Sequence, residues 1–312
     1  MEANIKPQGR KHTTSFRVRL KQSNLVPGYL FIGLFVVGFL AFVLAPFLYS
    51  LYLAFTDYNV LSSPTWVGIA NFKKMFTEDP LFWKSFFVTL QFAAVQVPAR
   101  LVFSLIVALA LAKVTKMTGV YRVAYYIPSI VGGSVAIAMT WKQLWGNNGM
   151  INKLLAFIGL PTVRWLANEK TAIYVLILLG VWQFGASMLI FLAGIKGVPA
   201  TLYEAAIVDG AGPVRRFFKI TLPMITPSIF FNLINGIIGS LQAFNSSYLI
   251  TRGGPLNSTL YYGLKMYQEA FQYHKMGYAS AMSWFMFIII VALTAFVFKS
   301  SSSWVFYQNE GK

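Results

Sequence analysis

The feature that most constrains this chain is a series of apolar blocks, each too long for the core of a soluble domain. A bilayer with a hydrocarbon core about 30 Å thick is crossed by about 20 residues of helix. Six blocks of this length can be drawn: Tyr29–Phe55, Ser85–Leu111, Val123–Trp141, Thr171–Ile195, Met224–Ile250 and Tyr278–Phe298. The sequence therefore predicts an all-α integral membrane protein with six membrane-spanning helices.

The composition supports this prediction and excludes several kinds of site. Only 11% of the 312 residues are charged, against about 25% in soluble domains. Cysteine is absent, so disulfides, thiol nucleophiles and cysteine-bound metals are excluded. The two histidines, His12 and His274, are far apart and argue against a histidine metal cluster. The net charge of +17 comes from basic residues that flank apolar blocks, which indicates membrane orientation rather than nucleic-acid binding.

The basic residues also predict the topology. Residues 1–27 form a tail with six basic residues and one acid, Glu2. Since positive loops stay inside, and an even number of spans returns the chain to one side, both termini are predicted to be cytoplasmic. The tail and first block resemble a signal peptide, but the block is too long and lacks a cleavage site, so we predict a retained helix. Residues 28–299 then form one six-helix domain, and residues 300–312 a cytoplasmic C-terminal tail.

Ionisable residues are almost absent from the six blocks. None contains Asp, Glu or His, which argues against a proton-coupled carrier or pump but leaves a sodium-driven carrier open. The blocks therefore lack the carboxylates and metal ligands that an enzyme would need for hydrolysis within the membrane. A membrane enzyme that works at the surface could use Asp57, Glu78 and Asp79, but these acids form no recognisable motif.

Arg100 is the exception, because it carries a formal charge within the second block. It could attract an anionic substrate. The structural alternative, which the sequence favours, is that Arg100 snorkels towards the interface or donates to the carbonyl freed one turn before Pro98.

The fifth block is unusually polar for a membrane span. Such amides and hydroxyls suit a pore for a neutral polyhydroxylated solute, and they suit hydrogen bonding between helices equally well. Pro223 and Pro227 are expected to bend the start of this helix. Its polar residues are Asn232, Asn235, Ser240, Gln242, Asn245, Ser246 and Ser247.

The longest loop on the predicted cytoplasmic side, about residues 196–223, contains a short helical pattern. Pro199 is a favourable first residue for a helix, and Gly210 is a favourable left-handed stop. About ten residues of helix are marginal alone in water, so this helix needs a partner. From composition alone, a helix resting on the membrane surface is the alternative.

The spacing in this loop resembles the EAA loop of ABC importer permeases. Glu204-Ala205-Ala206 is followed by Gly210 and then, after nine further residues, by Ile-x-Leu-Pro, which ends at Pro223. The fuller run from Glu204 to Ala211, Glu-Ala-Ala-x-x-Asp-Gly-Ala, is similar to the carbohydrate branch of that family.

Other segments agree with this resemblance. Phe244-Asn245 followed by Gly253-Gly254-Pro255 looks like the signature of sugar permeases at the outer end of the fifth helix. The similarity extends over about residues 27–298 and points to the maltose/glycerol-phosphate-type permease family, in a short version. Arg100 is a departure from the family's pattern.

The resemblance implies a type I ABC importer permease fold. It also implies a heterodimer with a second homologous permease subunit, two ABC ATPase subunits and an extracytoplasmic solute-binding protein, in a bacterial or archaeal cytoplasmic membrane. The chain has no G-x-x-x-x-G-K-[ST] loop, so it is expected to be a pore without enzyme activity or bound cofactor, and the partner ATPase uses ATP and Mg. The implied substrate is a sugar or oligosaccharide. Glycerol-3-phosphate or another polyol is an alternative, and an ion-coupled secondary carrier is an alternative of a different class.

The resemblance also assigns residues to two sites. Coupling to the ATPase is expected at Glu204, Ala205, Ala206, Asp209 and Gly210. The substrate path is expected in the fourth and fifth spans, at Leu179, Trp182, Gln183, Ala186, Asn235, Gly236, Ser240, Gln242, Ala243 and Asn245. An indole face can stack on a sugar ring, while amides and hydroxyls can bind sugar hydroxyls.

Overall fold

The computed structural model describes residues 25–113 and 117–306, and these residues are mainly helical. The helices, in chain order, are α1 (Leu25–Phe39), α2 (Ala45–Ala54), α3 (Ala70–Thr77), α4 (Pro80–Lys113), α5 (Thr118–Val131), α6 (Val135–Leu144), α7 (Met150–Phe157), α8 (Glu169–Trp182), α9 (Gly185–Lys196), α10 (Ala200–Val208), α11 (Pro213–Arg216), α12 (Leu222–Met224), α13 (Thr226–Leu241), α14 (Tyr262–Tyr267) and α15 (Met276–Trp304). Single π-helical turns occupy Leu40–Leu44, Phe217–Thr221, Ser247–Thr251 and Gln268–Gln272. Strands β1 (Thr56–Asp57) and β2 (Thr65–Trp66) pair antiparallel, with Thr56 opposite Trp66.

The helices account for six membrane spans. Three are long and apolar enough to cross a bilayer alone: Phe31–Ala54, Pro80–Lys113 and Met276–Trp304. Three more are bent pairs: Gly119–Val131 with Val135–Leu144 at 96°, Glu169–Trp182 with Gly185–Lys196 at 45°, and Pro213–Met224 with Thr226–Leu241 at 63°. With each bent pair counted as one span, the prediction of an all-α membrane protein with six spans is confirmed.

The chain divides into two compact units, residues 1–52 and 53–312. In the first unit, the described residues form α1, a π-helical turn and most of α2. Its apolar side chains are largely exposed, with Phe31 and Phe42 each more than four-fifths accessible. An apolar helix with this exposure suits a hydrocarbon environment.

Helix α4 organises the second unit. It packs against α8, α9, α13 and α14, and it contributes to each of three buried apolar clusters. Phe82 joins the cluster that contains Tyr262 and Met282. Phe92 and Ala108 belong to the other two clusters, which include residues of α8 and α9 respectively. A single 34-residue helix therefore aligns the three regions of the core.

Three predicted helices end earlier than the sequence suggested. The third span was expected to be continuous over Val123–Trp141, but α5 ends at Val131 and α6 begins at Val135. The fourth span was expected to be continuous over Thr171–Ile195, but α8 ends at Trp182 and α9 begins at Gly185. The fifth was expected to reach Ile250, but α13 ends at Leu241. Hydropathy measures how apolar a segment is and not whether its backbone is continuous, so it could not detect these ends.

Serine side chains satisfy backbone groups at the break in the fourth span. Ser129 donates to the carbonyl oxygen of Gln183 at 3.0 Å and accepts from the Ala186 N–H at 3.0 Å. Ser104 donates to the carbonyl oxygen of Phe184 at 3.2 Å. Because a bilayer offers no water to such groups, these partners make the break tolerable.

A buried ion cluster holds together the end of the second unit where α4 begins. The Lys265 ammonium lies 3.0 Å from a carboxylate oxygen of Asp79 and also pairs with Glu269. Tyr278 donates to Asp79 at 2.9 Å. Asp79 also accepts from the Leu81 N–H at the first turn of α4. In the sequence, Asp79 was one of three acids that an enzyme at the membrane surface could use. In the structure it caps the first turn of α4.

The cluster shifts the pKa of two of its members. Burial raises the pKa of Asp79, but the hydrogen bonds from Lys265 and Tyr278 outweigh it, so the pKa lies below its usual value. Burial lowers the pKa of Lys265, but the hydrogen bonds to Glu269 and Asp79 outweigh it, so the pKa lies above its usual value. The stabilisation from Asp79 is thus present near neutral pH and lost as pH falls through its lowered pKa, while that from Lys265 is lost only in strong alkali.

Replacing Lys265 with Met should strongly destabilise this end of the molecule, because Asp79 and Glu269 would remain buried without their shared cation. Breaking a buried pair in this way costs about 3–5 kcal/mol. The matched control is Lys275→Met: its ammonium is half exposed and 3.8 Å from Glu269, and such a pair contributes less than about 1 kcal/mol. Thermal unfolding of the two variants in detergent measures the difference. Equal losses would show that the buried cation has no special structural role.

Candidate functional site

A polar cavity of about 400 Å³ lies within the second unit. This volume is within the range of about 300–1,000 Å³ that is usual for small-molecule sites. Helices α4, α8 and α13 contribute to its wall, as do the break in the third span and the segment after α13. The lining residues are Phe92, Gln96, Arg100, Gly132, Gly133, Ser134, Ala138, Leu176, Leu179, Gly180, Gln183, Gly236, Gly239, Ser240, Gln242, Ala243, Phe244, Asn245, Ser246 and Leu249.

The polar wall contains a hydrogen bond between distant parts of the sequence. Ser240 of α13 donates to the side-chain oxygen of Gln96 on α4 at 2.7 Å, and both residues are buried. Gly180 of α8 allows this arrangement, since a β-carbon there would lie 2.8 Å from the Gln96 nitrogen. The close approach of α8 therefore holds the Gln96 amide in place.

Gln183 occupies the break between α8 and α9, and it faces the bend in the third span. A β-carbon on Gly132 would lie 2.4 Å from the Gln183 side chain. The absence of a side chain at Gly132 thus makes room for the Gln183 amide. Ser134 caps α6 by accepting from the Ile137 N–H at 3.3 Å, beside the same bend. Two broken spans meet at this wall of the cavity.

Seven of the ten residues predicted for the substrate path line the cavity: Leu179, Gln183, Gly236, Ser240, Gln242, Ala243 and Asn245. Three lie elsewhere. Trp182 packs against Trp141, with ring centroids 5.9 Å apart. Ala186 donates its N–H to Ser129. Asn235 lines a smaller cavity of about 60 Å³. Trp182 does not line the cavity because α8 ends there and its indole joins the core cluster around Leu176 and Leu179.

Several lining residues were not predicted. Gln96 is a polar residue in an apolar block, and Gly132-Gly133-Ser134 places two glycines in the middle of another. Both are signals that sequence analysis could have used. Phe92 has no such signal, because its position depends on a tilted contact between its ring and that of Tyr261, with centroids 4.6 Å apart.

The second predicted site, the loop helix α10, spans nine residues, Ala200–Val208, and ends at a left-handed glycine. Gly210 has φ +72°, and its N–H donates to the carbonyl of Ile207 at 3.0 Å. The next N–H, of Ala211, donates to Ala206 at 2.8 Å. The sequence predicted both the helix and the role of Gly210 as its stop.

The surface of α10 is exposed along most of its length, and none of its residues is buried. Glu204, Ala205, Asp209 and Gly210 are exposed, and Ala206 is half-buried. Val208 is 88% accessible. All five residues predicted for ATPase coupling thus lie on or directly after one short helix that leaves apolar surface uncovered.

A hydrogen bond links α10 to the base of the fifth span. The Tyr203 and Thr221 hydroxyls are 2.8 Å apart. Thr221 ends the π-helical turn that leads through α12 into α13. At the bend between α12 and α13, Thr226 donates to the carbonyl of Pro223 at 2.7 Å. The loop helix is therefore connected to the helix that carries Gly236 and Ser240.

Comparisons with known proteins agree with this arrangement. Residues 101–305 match the family described as binding-protein-dependent transport system inner membrane component. The chain is 49% identical to the probable ABC transporter permease protein YesP of Bacillus subtilis, over 93% of this chain and 95% of that protein. It is 31% identical to the trehalose/maltose transport system permease protein MalF of Thermococcus litoralis, over 88% and 94% of the two chains.

A solved structure has the same fold. A chain of a bacterial alginate ABC transporter, crystallised with an alginate pentasaccharide-bound periplasmic protein, superposes with a TM-score of 0.77 at 22% identity. The match covers 92% of this chain and 97% of that one. The fold is therefore that of a type I ABC importer permease. Together, the six spans, the exposed loop helix and the family match show that the chain belongs to the inner-membrane components of binding-protein-dependent transport systems, as a multi-pass permease subunit of an ABC importer.

Proposed function

We propose that this permease subunit carries a sugar or oligosaccharide through the cavity at its helix breaks. The observation that supports this most directly is the chemistry of the wall: amides and hydroxyls from Gln183, Ser240, Gln242 and Asn245 next to the apolar face of Phe92. Such a wall offers donors and acceptors for hydroxyl groups together with a surface for the apolar side of a ring. The printed name of the MalF relative, a trehalose/maltose permease, supports the same substrate class.

The proposed partners follow from what the chain contains. The sequence has no Walker A phosphate-binding loop, so two separate ABC ATPase subunits would bind ATP and Mg and hydrolyse ATP. A second, homologous permease would complete the pore as a heterodimer. An extracytoplasmic solute-binding protein would deliver the substrate. We place this assembly in the cytoplasmic membrane of a bacterium or archaeon, with both termini and α10 on the cytoplasmic side.

Helix α10 is the proposed contact with the ATPase. Its exposed apolar residues need a cover, and Glu204 and Asp209 offer carboxylates at its surface for basic partner residues. Closure of the ATPases would push α10 and, through the Tyr203–Thr221 hydrogen bond, the base of the fifth span. A rigid-body movement of this kind would switch the cavity between inward-facing and outward-facing states.

Replacing Gly210 with Val should uncouple the ATPase. A β-carbon at Gly210 meets nothing within 4 Å, so the effect is conformational: φ is +72°, where a β-branched residue costs about 1–3 kcal/mol. Co-purification of the ATPase and substrate uptake should fall about fivefold or more, while membrane insertion stays normal.

The matched control for this experiment is Gly212→Val. Gly212 also has open space around its α-carbon, but its φ of −68° and ψ of 165° are ordinary for valine. It should assemble and transport like the wild type. If the Gly210 variant does so too, α10 is not the ATPase contact.

Replacing Gln183 with Ala should weaken substrate recognition without uncoupling the transporter. Loss of one hydrogen bond, about 1 kcal/mol, raises the KM for uptake about fivefold. Basal ATPase activity should change little, because the Gln183 side chain lines the cavity and the whole of α9 separates it from α10. Gln91→Ala is the control: it removes the same amide from an exposed position on α4. Gln91 lines neither this cavity, nor the smaller cavity of about 60 Å³, nor a third, more apolar cavity of about 660 Å³ beside α14 and α15. Equal KM values for both variants would move the substrate route away from this cavity.

A further inference from the structure

Arg100 is deep within the second span. It follows Pro98 by two residues on α4 and precedes Lys113, the last residue of that helix, by thirteen. At a rise of about 1.5 Å per residue, its α-carbon is about 20 Å from that end. An arginine side chain is shorter than this distance, so the Arg100 charge stays beside the helical part of the second span.

Arg100 lines two cavities. It contributes to the wall of the 400 Å³ cavity and to the smaller cavity of about 60 Å³, where its neighbours include Ser187, Asn232 and Asn235. Gly236 also lines both. Among the described residues that line these two cavities and the more apolar cavity of about 660 Å³, Arg100 is the only charged one. The proposed substrate route therefore has a single fixed positive charge on its wall.

No protein group in the described ranges neutralises that charge. The ion pairs there join Lys265 and Lys275 to Asp79 and Glu269, and none includes Arg100. The Arg100 Nε is buried without a hydrogen-bond partner. The alternative that the sequence favoured, donation to the carbonyl freed before Pro98, is therefore not observed at this nitrogen.

Arg100 is half-buried, with its Nε enclosed and unpartnered. A charge within a membrane span is costly without a partner and is retained where function needs it. Gln96, Gln183 and Ser240 already offer neutral groups for sugar hydroxyls. A neutral substrate would leave the guanidinium unpaired at the moment when it displaces water from the cavity. An anionic group on the substrate would supply the missing counter-charge.

We propose that the substrate is a saccharide bearing an anionic group, and that Arg100 binds this group in the cavity. This inference rests on the proposed function and specifies its substrate class. A carboxylate, as in a uronic acid residue, matches the planar fork of the guanidinium and can accept two parallel hydrogen bonds. A phosphate or sulfonate ester offers related oxygen chemistry, and the experiment distinguishes these sources.

The experiment uses the assembled transporter, with its partner subunits and binding protein, in proteoliposomes. The probes are a digalacturonate, the same disaccharide with its carboxyl groups reduced to alcohols, and a sugar phosphate. Because the first two probes share their rings and linkage, the ratio of their uptake rates isolates the charge. The wild type should favour one of the two anionic probes over the reduced disaccharide.

Arg100→Gln should lower the ratio of the uptake of the preferred anionic probe to that of the reduced disaccharide about tenfold or more, the loss expected for a hydrogen-bonded charge pair. Arg100→Lys should retain an intermediate preference. The matched control is Arg122→Gln: the Arg122 Nε is also buried and unpartnered, but Arg122 lines none of the three described cavities. Its uptake ratio should equal that of the wild type.

The outcomes separate the two proposals. If the wild type carries the neutral disaccharide as well as the acidic one, and Arg100→Gln leaves the ratio unchanged, Arg100 does not recognise an anion, although saccharide transport stands. If no saccharide probe is carried or stimulates ATP hydrolysis, the proposed function itself is wrong. Should Arg100→Gln fail to assemble, the uptake ratios of the wild type and of Arg100→Lys decide the inference, and equal ratios would overturn it.

Discussion

The fold depends on one constraint: within a bilayer, each backbone N–H and C=O must find a partner inside the protein. A continuous helix meets this demand alone, whereas a broken one needs side chains to take over. Here the carbonyls of Gln183 and Phe184 are satisfied by Ser129 and Ser104. These serines come from α5 and α4, so the break in the fourth span exists only because two neighbouring helices supply its hydrogen bonds. The proposed site is built on this arrangement, since Gln183 is held at the break.

The same constraint explains why the polar cavity lies where it does. Its wall contains the bend in the third span at Gly132, the break in the fourth span at Gln183, and the segment that follows α13 and begins at Gln242. Where a helix stops, polar groups can face a water-filled space instead of lipid. Helix α4, which is unbroken, brings Gln96 and Arg100 to the wall. The continuous helix α4 thus provides the frame as well as two polar side chains, and the broken spans provide the other polar groups of the wall.

Much of this was predictable from the sequence. The length and apolarity of the blocks predicted six spans, and the spacing of Pro199 and Gly210 predicted a short loop helix that ends in a left-handed glycine. These features are local, so local patterns report them. The side of a helix on which a residue lies is not local once the helix bends. The resemblance placed Trp182 on the substrate path; in the structure its indole packs on Trp141 at the end of α8. Gln96 is held in the cavity wall by a hydrogen bond from Ser240, which is 144 residues away in the sequence.

The connection between the two proposed sites follows from the path of the fifth span. Its helix α13 begins at a bend of 63°, beside the turn whose last residue, Thr221, is hydrogen-bonded to Tyr203 of α10. About three to four turns after the start of α13, Gly236 and Ser240 reach the cavity wall. Helices are stiff along their axes, so a push on α10 would reach the cavity as a movement of α13 rather than as local deformation. The buried hydrogen bond from Ser240 to Gln96 would resist that movement, because α4 is fixed in all three core clusters. Substrate in the cavity would compete for the same two groups. In the mechanism we propose, loading of the cavity and movement of the loop helix are therefore linked through one helix and one hydrogen bond.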